Sequence, residues 1–152
     1  MIQLYKPKLE DLWFKERMLS DPDTMAYNNA WGGTIAFPEE RWEPWFREWV
    51  EPGTDGFFYR YLSDDLGNFV GEIAYHVEDG RCMADVIIYA PFRGRGYGRE
   101  GLPLLQDAAK ANGFSEIYDD IAIDNPAISL FRKMGFVEEY RTEKTIMLRR
   151  VI

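Results

Sequence analysis

The chain has 152 residues, 46% of them hydrophobic and 16% aromatic, which fits one domain with a sizeable core and excludes a disordered polypeptide. Its net charge of −8, from 18 basic against 26 acidic side chains, argues against nucleic-acid binding and favours a cationic partner through long-range steering. No apolar run approaches the roughly 20 residues that a membrane span needs; the N-terminus lacks a signal-peptide pattern, and the lone Cys82 permits no internal disulfide, so the cytoplasm is the expected compartment.

Residues 2–6 read as a short strand, followed by a helix across 8–19 with Leu9, Leu12, Trp13 and Leu19 near one face. Asp21-Pro22, Asn28-Asn29 and Gly32-Gly33 mark 20–37 as loop-like. In 38–50, Trp42, Trp45, Phe46, Trp49 and Val50 form a helical stripe that reads as core, and Pro44 requires a kink or a start near Glu43. Carboxylates are dense over 37–65 (Glu39, Glu40, Glu43, Glu48, Glu51, Asp55, Asp64 and Asp65).

Three antiparallel strands follow at 57–63, 69–77 and 82–90. Asp79-Gly80 favours a two-residue type I′ turn, which pairs Glu78 with Arg81, Val77 with Cys82 and His76 with Met83. Opposed residues share a face. Extending the ladder puts Ile73, Tyr75, Val77, Cys82, Ala84, Val86 and Ile88 on one face, with Glu72, Ala74, His76, Met83, Asp85, Ile87 and Tyr89 on the other. Glu72, His76 and Asp85 therefore cluster, whereas Cys82 and His76 diverge and cannot form a nucleophilic pair; Cys82 reads as a core residue. A single histidine excludes a metal cage or relay that needs two.

The next segment, Arg93-Gly94-Arg95-Gly96-Tyr97-Gly98, joins the apolar run Val86–Ala90 to a helix expected to end at Asn112-Gly113 and to bury Leu102, Leu105 and Ala109. Glycine backbone approaches an anion closely, helix-start N–H groups carry partial positive charge, and arginines add donors, so the junction suits a phosphate. Residues 96–101 also match the dinucleotide pattern G-x-G-x-x-G, with Asp119 and Asp120 about 20 residues on, as that site wants. Against it, five residues separate the strand from the first glycine, and too little chain follows for a doubly wound sheet. A Walker loop is excluded because Gly-Lys-Ser/Thr is missing. Residues 115–123 read as a strand, Asn125 and Pro126 as a helix start, Gly135 as its stop, and 136–150 as a hairpin. The order β-α-α-β-β-β-α-β-α-β-β predicts an α+β fold: a mixed, largely antiparallel sheet of about seven strands with helices on both faces and one βαβ crossover.

Arg93, Gly96 and Gly98 also satisfy R-x-x-G-x-G, and Asn125 to Phe136 resembles N-x-x-A-x-x-L-Y-x-x-x-G-F. With both motifs in order, the chain resembles the GNAT superfamily of acyl-CoA-dependent N-acetyltransferases. The resemblance implies a single N-acetyltransferase domain over 1–152 with acetyl-CoA as co-substrate. The pyrophosphate would rest on Gly94, Arg95, Gly96, Tyr97 and Gly98, with Arg93, Asn125 and Phe131 in contact with the coenzyme. Pantetheine would run beside Ile88, Tyr89 and Ala90, in a gap between the strand ending near Ala90 and the strand at 115–123. An amine would attack directly, with an N–H near Ile88 or Tyr89 stabilising the oxyanion. Asp85 is the expected base, then Glu72 through water. Phe131 stands where many members carry the tyrosine that protonates the thiolate, which leaves that role to water, Tyr89 or Tyr97. It also keeps open a noncatalytic acyl-CoA-binding module. The Asn125-to-Ala127 spacing is one residue shorter than the commonest form, and Pro103 falls inside the phosphate-binding helix. The acceptor, a small-molecule or peptide amine and preferably cationic, would lie among 24–50 and the Glu72/Asp85 face. A homodimer through the C-terminal hairpin's edge is the expected assembly.

Overall fold

The computed structural model describes residues 1–51 and 56–152; Asp55 lies outside them. Seven strands form one sheet: β1 (Gln3–Tyr5), β2 (Phe57–Ser63), β3 (Phe69–Glu78), β4 (Arg81–Ile88), β5 (Glu116–Ala122), β6 (Val137–Arg141) and β7 (Thr145–Val151), in the spatial order β1-β2-β3-β4-β5-β7-β6. Among the described residues, only β4 and β5 run parallel, joined by the expected crossover. The predicted hairpin register is present: Glu78 faces Arg81, Val77 faces Cys82, and His76 faces Met83. Both turn residues have positive φ, Asp79 at 52° and Gly80 at 76°, as a type I′ turn requires.

That register sorts the two cores. Ile73, Tyr75, Cys82 and Ala84 pack beneath α3 (Tyr97–Ala111) and α4 (Ala127–Lys133), with Leu102, Leu105, Ala109 and Phe131. Burial pushes the Cys82 thiol up to about 12, so it stays protonated as a core residue. On the other face, Ala74, Ile87 and Tyr59 meet α1 (Trp13–Ser20) through Phe14 and Met18, and α2 (Trp42–Trp49) through Trp45, Phe46 and Trp49. Among the described residues, no helix is long and apolar enough to cross a membrane.

The expected helix over 8–19 is a 3₁₀ turn (Leu9–Leu12) that runs into α1, and the loop-like stretch holds a second 3₁₀ segment, Thr24–Trp31. Pro44 occupies the third position of α2, where its missing N–H is an unneeded donor, so no kink is required. The tryptophan stripe is half-buried rather than fully core: Val50 is buried, while Trp45 and Trp49 pack on the second core with their rings partly open. Pro103 is accommodated inside α3.

Gly101 shows how closely α3 meets the sheet. A Cβ there would sit 2.9 Å from Leu62 Cδ1 and 3.4 Å from Ile73 Cγ2. Overpacking of this kind costs about 1–3 kcal/mol, so Gly101→Val should lower the urea midpoint correspondingly. An unchanged midpoint would refute the close approach.

Candidate active site

β4 and β5 pair at Met83 and Tyr118 alone, and beyond that point they diverge. The divergence opens a cleft of about 1320 Å³, lined by the C-terminal half of β4, the glycine loop, the start of α3, Asp119 to Ala122 of β5 and the start of α4. Gly94 and Gly96 hold φ of 79° and 85°, and a Cβ on either would meet nothing within 4 Å, so the loop faces open space. The first α-helical bond of α3 runs from Glu100 N–H to the Gly96 carbonyl, which leaves the preceding N–H groups of the first turn without helical partners. An anion placed there meets backbone donors at the positive end of a 15-residue helix.

Arg93 is spent differently. Its Nε donates to the Ile88 carbonyl at 3.0 Å, and its two terminal nitrogens donate to the carbonyls of Asp23 at 3.1 Å and Thr24 at 2.8 Å. Thr24 Oγ1 accepts from Ala90 N–H at 3.0 Å and donates to Asp21 at 2.5 Å. These bonds latch the 3₁₀ segment Thr24–Trp31 onto the end of β4, where Ala26, Tyr27, Asn28 and Trp31 form one wall of the cleft.

A smaller cavity of about 490 Å³ opens on the α1/α2 face, lined by Lys15, Tyr27, Phe37, Glu40, Arg41, Trp45, Glu48, Asp85 and Ile87, among others. Tyr27, Asp85 and Ile87 line both cavities. Asp85 thus stands where the two spaces meet. Burial pushes its carboxyl up to about 6, the nearby Glu72 charge adds to that rise, and Lys15 and His76 oppose it. Tyr27 is held protonated, first by burial and then by the charges of Asp85, Glu72 and Asp119. Asp119 is raised well above the carboxylate range by burial, with Asp85 and Asp120 adding to it.

Of the residues singled out in the sequence, Asp85, Ile88, Arg93, Gly94, Gly96, Tyr97, Gly98, Asn125 and Phe131 line the cleft. Ala90 and Arg95 lie beside it, with the Arg95 guanidinium 5.4 Å from the Phe92 ring centre. Glu72 is buried at 1% exposure, and its Oε1 accepts from Lys15 Nζ at 3.1 Å and Tyr59 OH at 2.8 Å. The Tyr89 ring packs edge-on against Phe14 at 5.7 Å, and its N–H donates to the Val70 carbonyl at 2.9 Å. Successive strand amides point to opposite edges, so Ile88 N–H faces the β5 side. Asn125 Oδ1 accepts from Ala127 N–H at 2.8 Å, and Phe131 is buried edge-on against Phe136 at 4.9 Å.

Sequence reasoning misses Tyr27 and Lys15. Tyr27 sits in a segment without periodicity, so nothing in the pattern marks it. Lys15 does leave a signal, a cation in the apolar stripe of Leu12 and Leu19 at i, i+3 and i+7.

A split parallel pair with a helix N-terminus at its mouth gives this α+β protein a cleft whose shape and backbone donors can accept an extended anionic ligand. A sequence profile of the acetyltransferase (GNAT) family matches residues 13–136, and the chain belongs to that family. No curated protein sequence matches it. Among solved structures, spermidine N-acetyltransferase from Vibrio cholerae, in complex with CoA and spermine, is similar at 18% identity and a TM-score of 0.83, covering 99% of this chain and 95% of that one. PaiA N-acetyltransferase from Thermoplasma acidophilum, in complex with coenzyme A, is similar at 16% identity and a TM-score of 0.70, over 100% and 99% of the two chains. A GNAT-family acetyltransferase from Bacillus anthracis is similar at 17% identity and a TM-score of 0.78, over 99% and 94%. At such identities the likeness is one of fold.

Proposed function

We infer that this protein transfers an acetyl group from acetyl-CoA to a primary, preferably cationic, amine. The observation that carries this reading is Asp85, a carboxyl with a raised proton affinity at the junction of a phosphate-ready cleft and a second, acid-rimmed cavity. The diphosphate of the co-substrate would rest on the N–H groups of the Gly94–Gly98 loop, with Arg95 and Arg99 as nearby cations, because the donors of Arg93 already hold the Thr24–Trp31 wall. The acyl arm would follow the free edge of β4, where Ile88 N–H is the donor oriented to stabilise an oxyanion.

The amine would enter from the α1/α2 cavity past Glu40 and Glu48, carboxylates that outnumber the rim cation Arg41, while Lys15 is already paired with Glu72. An alkyl-ammonium has a pKa near 10.4, so Asp85 would take its proton before or during attack on the thioester carbonyl. Glu72, tied to Lys15 and Tyr59, serves as a buried counter-ion rather than a second base. Tyr97 and Tyr27 are the hydroxyls that line the cleft and can hydrogen-bond the departing thiolate; Tyr89 is packed away from it. Two of the similar structures contain CoA, one of them with spermine, which supports the same ligand classes here.

Phe131 favours the competing reading of a noncatalytic acyl-CoA-binding module, since a buried phenyl ring cannot donate a proton. A thermal-shift titration followed by an amine screen separates the two. A ligand bound to the native state at 100 times its Kd stabilises by about 2.7 kcal/mol, a rise in Tm of about 5–10 °C for a chain of this size. Coenzyme A should produce that rise and NAD should not. Coenzyme binding without turnover of any amine would favour the module, and no stabilisation at all would end both readings.

A further inference from the structure

The base at the cavity junction needs a route for its proton, and the only histidine of the chain stands one residue pair away. His76 faces Met83 while Ala74 faces Asp85, so His76 and Asp85 are diagonal neighbours on one face of the sheet. Diagonal pairs lie roughly 7–8 Å apart at Cα, close enough for long side chains to communicate directly or through one solvent molecule. His76 Nδ1 is buried and, among the described residues, has no hydrogen-bond partner. Its Nε2 lies 3.2 Å from Glu78 Oε2, whose side chain is 64% exposed. The Trp49 ring meets the imidazole edge-on at 5.7 Å. One nitrogen therefore looks inward and the other is tied to the surface, and His76, Glu78 and Asp85 all line the cleft. A buried ring nitrogen is costly to leave unpaired, and a bridging solvent molecule would satisfy it.

The geometry points to His76 as a proton conduit that drains Asp85 to solvent, an inference that rests on the acetyl-transfer reading above. The ammonium N–H bond breaks and its proton goes to the Asp85 carboxylate. Asp85 passes it through a bridging solvent molecule to Nδ1 of His76, and the ring releases the Nε2 proton to Glu78 and bulk water. A turn of the half-exposed ring about its Cβ–Cγ bond then brings Nδ1–H to solvent, where the ring exchanges back to its starting tautomer before it turns inward again, so each turnover carries one proton outward. Around Asp85 stand Lys15 of α1, Tyr27 of the cleft wall, Tyr59 of β2, Glu72 of β3 and Asp119 of β5. His76 joins this group of side chains to Glu78, a carboxylate 64% exposed.

Two measurements decide it. With acetyl-CoA and spermidine, or the best amine of the screen, His76→Gln should lower kcat roughly tenfold at low buffer concentration. Added imidazole should restore it, and coenzyme stabilisation should stay unchanged. Because the histidine is unique, its ring ¹⁵N resonances are unambiguous: Asp85→Asn should displace Nδ1 and leave Nε2, tied to Glu78, in place. A wild type that turns over while His76→Gln matches it, a loss that imidazole does not relieve, or an unmoved Nδ1 resonance overturns the conduit alone. A wild type that acetylates no amine overturns the parent reading and the conduit with it.

Discussion

Asp85→Asn should cost about 10²–10³ in kcat at neutral pH, the scale of a lost general base, while leaving coenzyme affinity intact. The amide keeps the shape of the side chain and removes its capacity to hold a proton. In the wild type, kcat should rise with pH through a limb near 6, where burial and the Glu72 charge set the proton affinity of Asp85, and the variant should lack that limb. Stability should move the opposite way. A carboxyl whose folded pKa lies above its unfolded value binds protons more tightly in the native state, so stability falls as pH rises from about 4 to about 6. Asp85→Asn removes that burden and should raise Tm at pH 8. A residue that merely anchored structure would lose stability with activity; unchanged turnover would remove Asp85 from the mechanism.

The β3–β4 hairpin is legible in the sequence because Asp79-Gly80 specifies a turn with two positive φ values. Strand alternation then places every side chain from Glu72 to Tyr89 on its face. The face on which Asp85 lies follows from that parity, whereas its expected role as base comes from the resemblance to the GNAT superfamily. The glycine loop is legible for a similar reason: a helix start preceded by residues at positive φ leaves a local signature. Other features are decided by tertiary contact. Arg93 satisfies a phosphate motif, yet its donors go to the carbonyls of Asp23 and Thr24, 70 and 69 residues away in the chain, which no local pattern announces. Tyr89 is two positions beyond Ile87 on the same face, but that face turns its ring onto Phe14 and away from the cleft. Glu72 falls on the predicted face and is nevertheless withdrawn from solvent by Lys15 and Tyr59. Pairing decides its role, and pairing needs α1 docked on the sheet.

That docking gives the second large expectation. Lys15 Nζ lies 3.1 Å from Glu72 and 4.8 and 4.9 Å from the ring centres of Trp45 and Tyr59, with the two charged side chains 10% and 1% exposed. Removing one partner of a buried pair costs about 3–5 kcal/mol, so Lys15→Met should lower Tm by roughly 6–20 °C for a chain of this size. Glu72 then keeps only Tyr59 OH as a hydrogen-bond donor among the described residues and is left as an uncompensated buried charge. Replacing both partners, as Lys15→Met with Glu72→Leu, should recover most of the stability, and a double-mutant cycle measures the coupling. The same pair acts on the chemistry with opposite signs. The Lys15 cation lowers the proton affinity of Asp85 and the Glu72 charge raises it. Lys15→Met should therefore move the activity limb above 6, and Glu72→Gln should move it below. If Lys15→Met melts within a degree or two of the wild type, the ion pair is not holding α1 to the sheet. If both variants shift the limb in one direction, the charges around Asp85 are not arranged as the buried network requires.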